Sequence, residues 1–526
     1  MPFRYGDGTL YGSGATYGAY LSTTRTVTFG FRVDWDNDGV LDGTNEVAYL
    51  DSGGALKGRM LSWRVKLGRE FVFNSSGDGF EHAIPGTLEV EMLNDDGRYD
   101  PYNLSGPLVD YLYKNQLVEF TALSETTGTN YPVFYGYITD IKPAYGAVDK
   151  VTIYVEGAMN KLNSSLYSEV SETVQYDNQI SAALTAAEWA GSTNIDTTSS
   201  DTMDYHWFSG NPAIDEINDL ADAAFGLFWV GEDGTANYIS RIPGDSSTQT
   251  ITEADIDYSY KIQTPAPREV LRNSITVYSN KPILMNTGSV WTLNEVPFTL
   301  SGIGVKYYFW AQLTYNGKPA AYMPSSGGGS GAGQLIVNTA ADGSGTVLTN
   351  VTDYLIGLET NNSVELYLSI INLYGPDIYI TQWEFHPGEF LAIGDGTFKL
   401  LEDSASIAAY GKSELKFSSP WIQSQNAADE YGQIILDKFS IPRAFPRFKF
   451  KRSAIDAQFT SPLFNLITVN FSTKGITGEF RVGHIERAWN VNEPNVIDSI
   501  YYLEPNLSVA AASTWTFPTT FPTIFT

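Results

Sequence analysis

The sequence predicts a mainly β, multidomain protein with two β-barrels, an inserted small α+β domain and an inserted β-sandwich. Three observations carry this. Short alternating apolar and polar runs separated by turn residues fill positions 24 to 165, helical spacing appears near residue 175, and strand-like runs resume near 246. At 526 residues the chain is long enough for roughly three or four domains, each with its own core.

The runs "TVTFGFRVDW", "LSWRVKLGREFVF", "GTLEVEML", "QLVEFTAL", "YPVFYGYITDIKP" and "KVTIYVEGA" have period two and no helical period between them. They predict an antiparallel barrel or sandwich over 24–165. In "DNQISAALTAAEWAG", Ile180, Leu184 and Ala187 share a helix face. In "NPAIDEINDLADAAFG", Pro212 stands at an expected first helical position, Ile214, Ile217, Ala221, Ala224 and Phe225 form a stripe, and Gly226 is the expected stop. "LFWVGEDGTANYISR" reads as a hairpin turning at Asp233-Gly234, so 166–245 form the α+β unit.

A second β unit begins at "NSITVYSNKP". Residues 291–400 read as a β-sandwich with the flexible Gly/Ser loop "SSGGGSGAGQ". "NAADEYGQIILDKFS" is a helix with Ala428, Tyr431, Ile435, Leu436 and Phe439 near one face, followed by the strands "RFKFKRS", "LITVNFS" and "GEFRVGHIERAWNV". These later elements need partners, so 246–290 together with 401–490 are expected to form the second barrel, with 291–400 inserted. The ends differ in texture. Residues 1–23 repeat Tyr5-Gly6, Tyr11-Gly12 and Tyr17-Gly18, and 491–526 end in Phe517-Pro518, Phe521-Pro522 and Phe525; both are expected to be arms that order on a neighbouring subunit.

Composition limits the function classes. Sixty acidic residues against 32 Lys plus Arg give a net charge of −28, which disfavours a phosphate-binding surface and hence direct nucleic-acid recognition. The absence of cysteine removes disulfides and thiolate chemistry. The start lacks the basic and apolar regions of a signal peptide, and no apolar run reaches the roughly eighteen residues of a membrane span, so a soluble, unexported chain is expected.

His82, His206, His386 and His484 form no paired metal motif, and no G-x-S-x-G elbow occurs. The expectation is a protein that is not an enzyme. Trp189, Trp207, Trp229, Trp310 and Trp383 are expected to anchor cores or interfaces, with sugar stacking as the other use of such rings. "DGSGTVLT" is Gly-rich but has no lysine and no following helix, so it reads as a hairpin.

One stretch has metal-ligand spacing. In "DWDNDGVLDG", Asp34, Asp36, Asp38 and Asp42 occupy the first, third, fifth and ninth positions of a calcium loop, with Gly39 at the sixth. The bidentate Glu of the twelfth position is missing: Asn45 stands there and Glu46 follows. The same residues must also turn the chain between a strand ending near Val33 and one beginning near Val47. Calcium is the one cofactor the sequence suggests, and none is required.

Several stretches are similar to one family. "GTLEVEMLNDDGRYDPYNLSGPL" (86–108), "YPVFYGYITDIKP" (131–143), "AIDEINDLADAAFGLFWVGEDGTANYISR" (213–241) and "DSASIAAYGKSEL" (403–415), in this order, resemble the tail-tip hub or minor tail proteins of tailed bacteriophages, whose core is similar to that of contractile-tail baseplate hubs. The most specific match is "NDDGRYDPYN", a strand ending in a tight turn, with Tyr99, Pro101 and Tyr102 expected to fix the exit. The resemblance implies a virion protein at the distal end of the tail. It implies a homotrimer in which each subunit supplies two tube-like barrels, so that three chains present a pseudo-sixfold ring to a hexameric tail tube or distal tail protein. It also implies contacts with tape measure protein and with tail fibre or receptor-binding proteins, and a role in gating the channel. The alternative reading is a carbohydrate-binding or cell-wall-active surface β-protein.

Overall fold

The computed structural model describes residues 26–506 apart from 40, 42–48, 51–58, 70–80, 107, 198–201, 241–245, 258, 261, 264–269, 324–333, 362, 387–388, 395, 443–444, 453 and 494. The Tyr-Gly arm, the Phe-Pro tail and nearly all of the Gly/Ser loop lie outside the described residues.

The chain is mainly β. Each alternating run of the first region becomes a strand: Val27–Val33, Met60–Gly68, Ile84–Leu93, Leu117–Ser124, Asn130–Ala144 and Lys150–Gly157. They join one large sheet in the order 466–471, 476–490, 60–68, 84–93, 150–157, 130–144, 117–124 and 27–33. The sheet curls strongly. Phe29, on the strand at the far end of that path, lies 5.1 Å from both Trp63 and Trp489, and 5.9 Å from Phe120, so strands distant in the ladder face each other across one core.

Strand 476–490 is the joint. Its first half pairs with 466–471 and its second half with 60–68, while 480–489 pair on the opposite edge with strand Ile497–Pro505. Where the halves meet, Gly68 has φ +91, and a Cβ there would stand 2.1 Å from the Gly483 carbonyl oxygen. Only glycine permits this approach. Strand 497–505 corrects the expected boundary at 490. Ile497, Ser499, Tyr501 and Leu503 face inward, but apolar residues at the alternate positions Ile500 and Tyr502 blur the period in the sequence.

The strands assigned to a second barrel divide between two sheets, which corrects that expectation. Residues 250–252 pair with 466–471 in the large sheet, whereas 274–279, 397–402 and 414–418 make a separate three-stranded sheet. The physical reason is the helix α4 (Gln425–Phe439). Its predicted face, Ala428, Tyr431, Ile435, Leu436 and Phe439, is buried, and Gly432 lets it approach Leu401 of that small sheet. Ser424 caps α4 by accepting from the Ala427 N–H at 3.1 Å.

The helices and hairpin expected in 166–245 form, packed into the same core cluster as the large sheet, with two differences at the second helix. The helices are α1 (Tyr176–Ala186) and α2 (Ala213–Ala223). Pro212 precedes α2 instead of opening it, with ψ 143, and the Ser164 carbonyl accepts from the Ala213 N–H at 2.9 Å. The left-handed residue after α2 is Phe225 (φ 54), not Gly226. Gly226 is needed for space, since a Cβ would lie 2.6 Å from the Ile239 carbonyl oxygen. The strand pair 227–230 and 236–239 closes the predicted hairpin, with Gly234 at φ +79.

The inserted sandwich has its own core, built on Leu300, Leu366, Ile380, Trp383 and Phe390 among others. Its limits differ from 291–400. Strand 282–285 already pairs with 390–393 inside the insertion, and 397–402 belongs to the base, pairing with 274–279. Entry and exit strands are therefore antiparallel neighbours. The Ser279 and Thr397 hydroxyls meet at 2.7 Å across this stem. "DGSGTVLT" is the predicted hairpin, with Asn338 opposite Val347.

Candidate functional site: one rim of the large sheet

Two loops meet at the end of the first strands. Asp34 leaves strand 27–33 with its N–H donating to the Leu117 carbonyl at 2.9 Å, and the chain returns to pair residues 49 and 50 with 31 and 30. The predicted hairpin is therefore present. Asp34 is buried, and its carboxylate accepts from the Asp38 N–H at 3.1 Å and the Gly39 N–H at 2.8 Å. Asn37 (φ 59) and Gly39 (φ 86) provide the left-handed positions of the turn.

The same turn gathers the predicted ligands. Asp34, Asp36 and Asp38 each place an oxygen within 4.8 Å of the others, and this is the one such group among the described residues. Asp42 lies outside the described residues. Three carboxylates at this separation repel by about 1 kcal/mol per pair even at the dielectric of water. An all-oxygen donor set of this kind suits a hard divalent cation such as calcium.

The "NDDGRYDPYN" motif forms the second loop. The Asn94 side chain accepts from the Tyr99 N–H at 3.0 Å, Asp100 accepts from the Tyr102 N–H at 2.9 Å, and the Asn103 amide donates to the Gly97 carbonyl at 3.1 Å. The Tyr145 hydroxyl donates to Asp100 at 2.6 Å, and Arg59 bridges Asp95 and Asp96 at 2.9 and 3.0 Å. Burial pushes the Asp96 carboxyl up, but Arg98 and Arg59 hold it below its ordinary value. The loop is cross-linked at nearly every residue.

Its side chains divide by role. Tyr99 is buried with its ring 6.3 Å from Trp35, and Gln116 donates to the Trp35 carbonyl at 2.7 Å, so the two loops are one rigid rim. Tyr102, expected to fix the exit, instead points outward at 80% exposure, with Leu104 at 83% beside it in sequence. Asp100, two residues earlier, holds the Tyr102 backbone and leaves its ring free to project. The sequence reading missed Arg59, Gln116 and Tyr145, whose partners are distant in the chain; only the turn-forming Asn and Asp residues signalled an ordered loop.

The histidines are scattered. His82 lies 3.0 Å from Asp222; burial lowers its pKa, but the Asp222 hydrogen bond and charge raise it overall. His206 is buried against Phe208 and Trp421, and desolvation brings its pKa down to about 3. His386 meets Glu384 at 2.9 Å, and His484 packs on Tyr502. No two of them converge.

No protein-family model and no curated protein matches the sequence. Solved structures are similar over most of the chain at low identity. The 43 kDa tail protein of prophage MuSo2 from Shewanella oneidensis is 10% identical with a TM-score of 0.48, covering 91% of this chain and 98% of that one. The tail protein of Neisseria meningitidis MC58 is 6% identical, TM-score 0.45, with 91% and 97% covered. Prophage tail protein gp18 from Listeria monocytogenes EGD-e is 7% identical, TM-score 0.40, with 90% and 94% covered. Along about nine-tenths of its length, this mainly β chain is thus similar to solved phage and prophage tail proteins.

Proposed function

We propose that the chain is a structural protein of a phage tail tip, a homotrimeric hub that joins the tail tube or distal tail protein to the receptor-binding tip and closes the channel. The observation that supports this most is the rim. The motif most specific to the tail-hub resemblance folds into a hydrogen-bonded platform that holds Tyr102 and Leu104 in solvent, as rigid anchors for a ring partner. The large two-part sheet, joined by strand 476–490, supplies an extended wall of the kind such a ring needs. Tape measure protein inside the channel and tail fibre or receptor-binding proteins outside are the further partners of this reading.

Sedimentation of the full chain and of a Tyr102→Asp, Leu104→Asp variant tests it. The variant should unfold within about 0.5 kcal/mol of the parent, because both side chains are exposed. It should lose co-sedimentation with purified tail tubes. A variant that binds tubes as well as the parent would remove the rim from the proposal. Calcium belongs to the same proposal: an ion on Asp34, Asp36 and Asp38 would stiffen this rim. Calorimetry should show heat with the parent and none with an Asp36→Ala, Asp38→Ala variant; equal heats would end the calcium reading.

A further inference from the structure

The inserted sandwich carries an aromatic ledge that its own core does not use. Strand Lys306–Gln312 pairs with Glu365–Asn372, which pairs with Tyr354–Asn361. Alternation sends Phe309 inward onto Phe298 and Trp383, 5.0 and 5.1 Å away, and sends Tyr308 and Trp310 outward. Trp383, Trp207 and Trp229 are buried as the sequence predicts, but Trp310 is 64% exposed and Tyr308 49%. Both converge on Tyr367 of the next strand: Tyr308 stacks on it at 5.1 Å with planes 7° apart, and Trp310 leans on it at 5.0 Å.

We propose that the Tyr308, Tyr367 and Trp310 ledge is a binding site for an uncharged polysaccharide chain, independent of whether the protein is a tail hub. The chemistry of the surface selects this occupant. A pyranose ring offers an apolar face of axial C–H groups to an aromatic ring and a rim of hydroxyls to polar neighbours. Here Gln312 and Glu365 form one end of the same outward row, where they stand opposite each other in register, and Lys306 lies 5.3 Å from the Tyr308 ring at the other end. Among the described residues, Lys306 and Glu365 flank the rings with opposite charges, which suits a neutral ligand.

Size and charge argue against other occupants. Three rings on one three-stranded sheet fall well short of the roughly 800 Å² per partner of a stable protein interface. A phosphate backbone meets a chain of net charge −28.

The test uses the full chain with chitohexaose, maltohexaose and cellohexaose as probes, read by tryptophan fluorescence and calorimetry. At least one probe should bind saturably. Trp310→Ala should weaken it by about tenfold or more, while Trp310→Phe keeps part of the affinity. Unfolding midpoints should match for all three proteins, which separates lost binding from lost folding. Two results would overturn the proposal: no saturable binding of any probe to the parent, or a Trp310→Ala variant that binds them equally. A variant whose sedimentation changes with glycan binding intact would show a protein interface instead, and would also overturn it.

Discussion

The body and the inserted sandwich solve the same problem of long-range closure in opposite ways. In the body, strands more than four hundred residues apart in sequence lie side by side, and one core cluster runs from Val27 to Leu503. Buried charges cross that joint: Arg69 meets Glu504 in a two-pronged pair at 2.9 Å for each contact, and Arg487 donates to the Tyr501 hydroxyl at 2.8 Å. The sandwich joins the body at its stem, around Ser279 and Thr397, and at a second seam where the Ser363 N–H donates to the Ser168 carbonyl at 3.2 Å and Ala321, Met323, Val364 and Leu391 pack into the body's cluster, while most of its apolar residues fill a separate core. A fault in the body should therefore spread across it, whereas a fault in the sandwich's own core should be felt mainly there.

The largest effects test that contrast directly. Glu504→Ala leaves the Arg69 guanidinium buried without its carboxylate, and should destabilise the body by about 3–5 kcal/mol. Trp383→Ala empties the sandwich core, at a similar cost of about 3–5 kcal/mol. Denaturant unfolding followed by hydrogen exchange should show the first lowering protection throughout the large sheet and the second lowering it mainly between 282 and 393. If Trp383→Ala also loosens strands 60–68 and 476–490, the two cores are not separate.

A medium effect is expected at the stem's base. Asn273 is buried, donating to the Ser406 hydroxyl at 3.0 Å and the Gly411 carbonyl at 2.8 Å and accepting from the Ser413 N–H at 2.7 Å. Asn273→Ala should cost about 1–3 kcal/mol, since two backbone groups lose a partner. Measured stability unchanged by this substitution would mean that the 274–279 sheet is not held from below. In the converse experiment, replacing 281–395 with a short turn should leave the body folded but less stable, because 274–279 and 397–402 already face each other while Ala321, Met323, Val364 and Leu391 are lost from the body's cluster.

The smallest effect is electrostatic. The His82 pKa is raised in the folded protein by Asp222, so the pair contributes stability that is fully present below the unfolded value near 6.5 and is lost as pH rises through the higher folded value. His82 is partly exposed, so the change is modest. The melting temperature of the parent should fall slightly relative to His82→Gln between pH 6 and 8. A constant difference across that range would contradict the assignment.

Local structure was legible wherever one period ruled. The strand 150–157 alternates cleanly, and α4 shows its buried face at helical spacing. The acidic turn was legible too, because Asp34, Asp36, Asp38 and Gly39 are close in sequence and the turn brings the three carboxylates together. What could not be read was pairing at a distance. Nothing near Trp63 announces Trp489 as its cross-strand partner, and the Gly68 and Gly483 contact that fixes the joint involves two residues without side chains. The outward turn of Tyr102 was hidden for the same reason, since Asp100 and its Tyr145 partner decide it.

The central claim is assembly, and the mass of the full chain in solution tests it most directly. Native mass spectrometry or sedimentation equilibrium should find three copies of the 57.9 kDa chain, reduced to one by the Tyr102→Asp, Leu104→Asp change if the rim also holds the ring together. A chain that stays strictly monomeric, and that is absent from purified tail tips, would contradict the account.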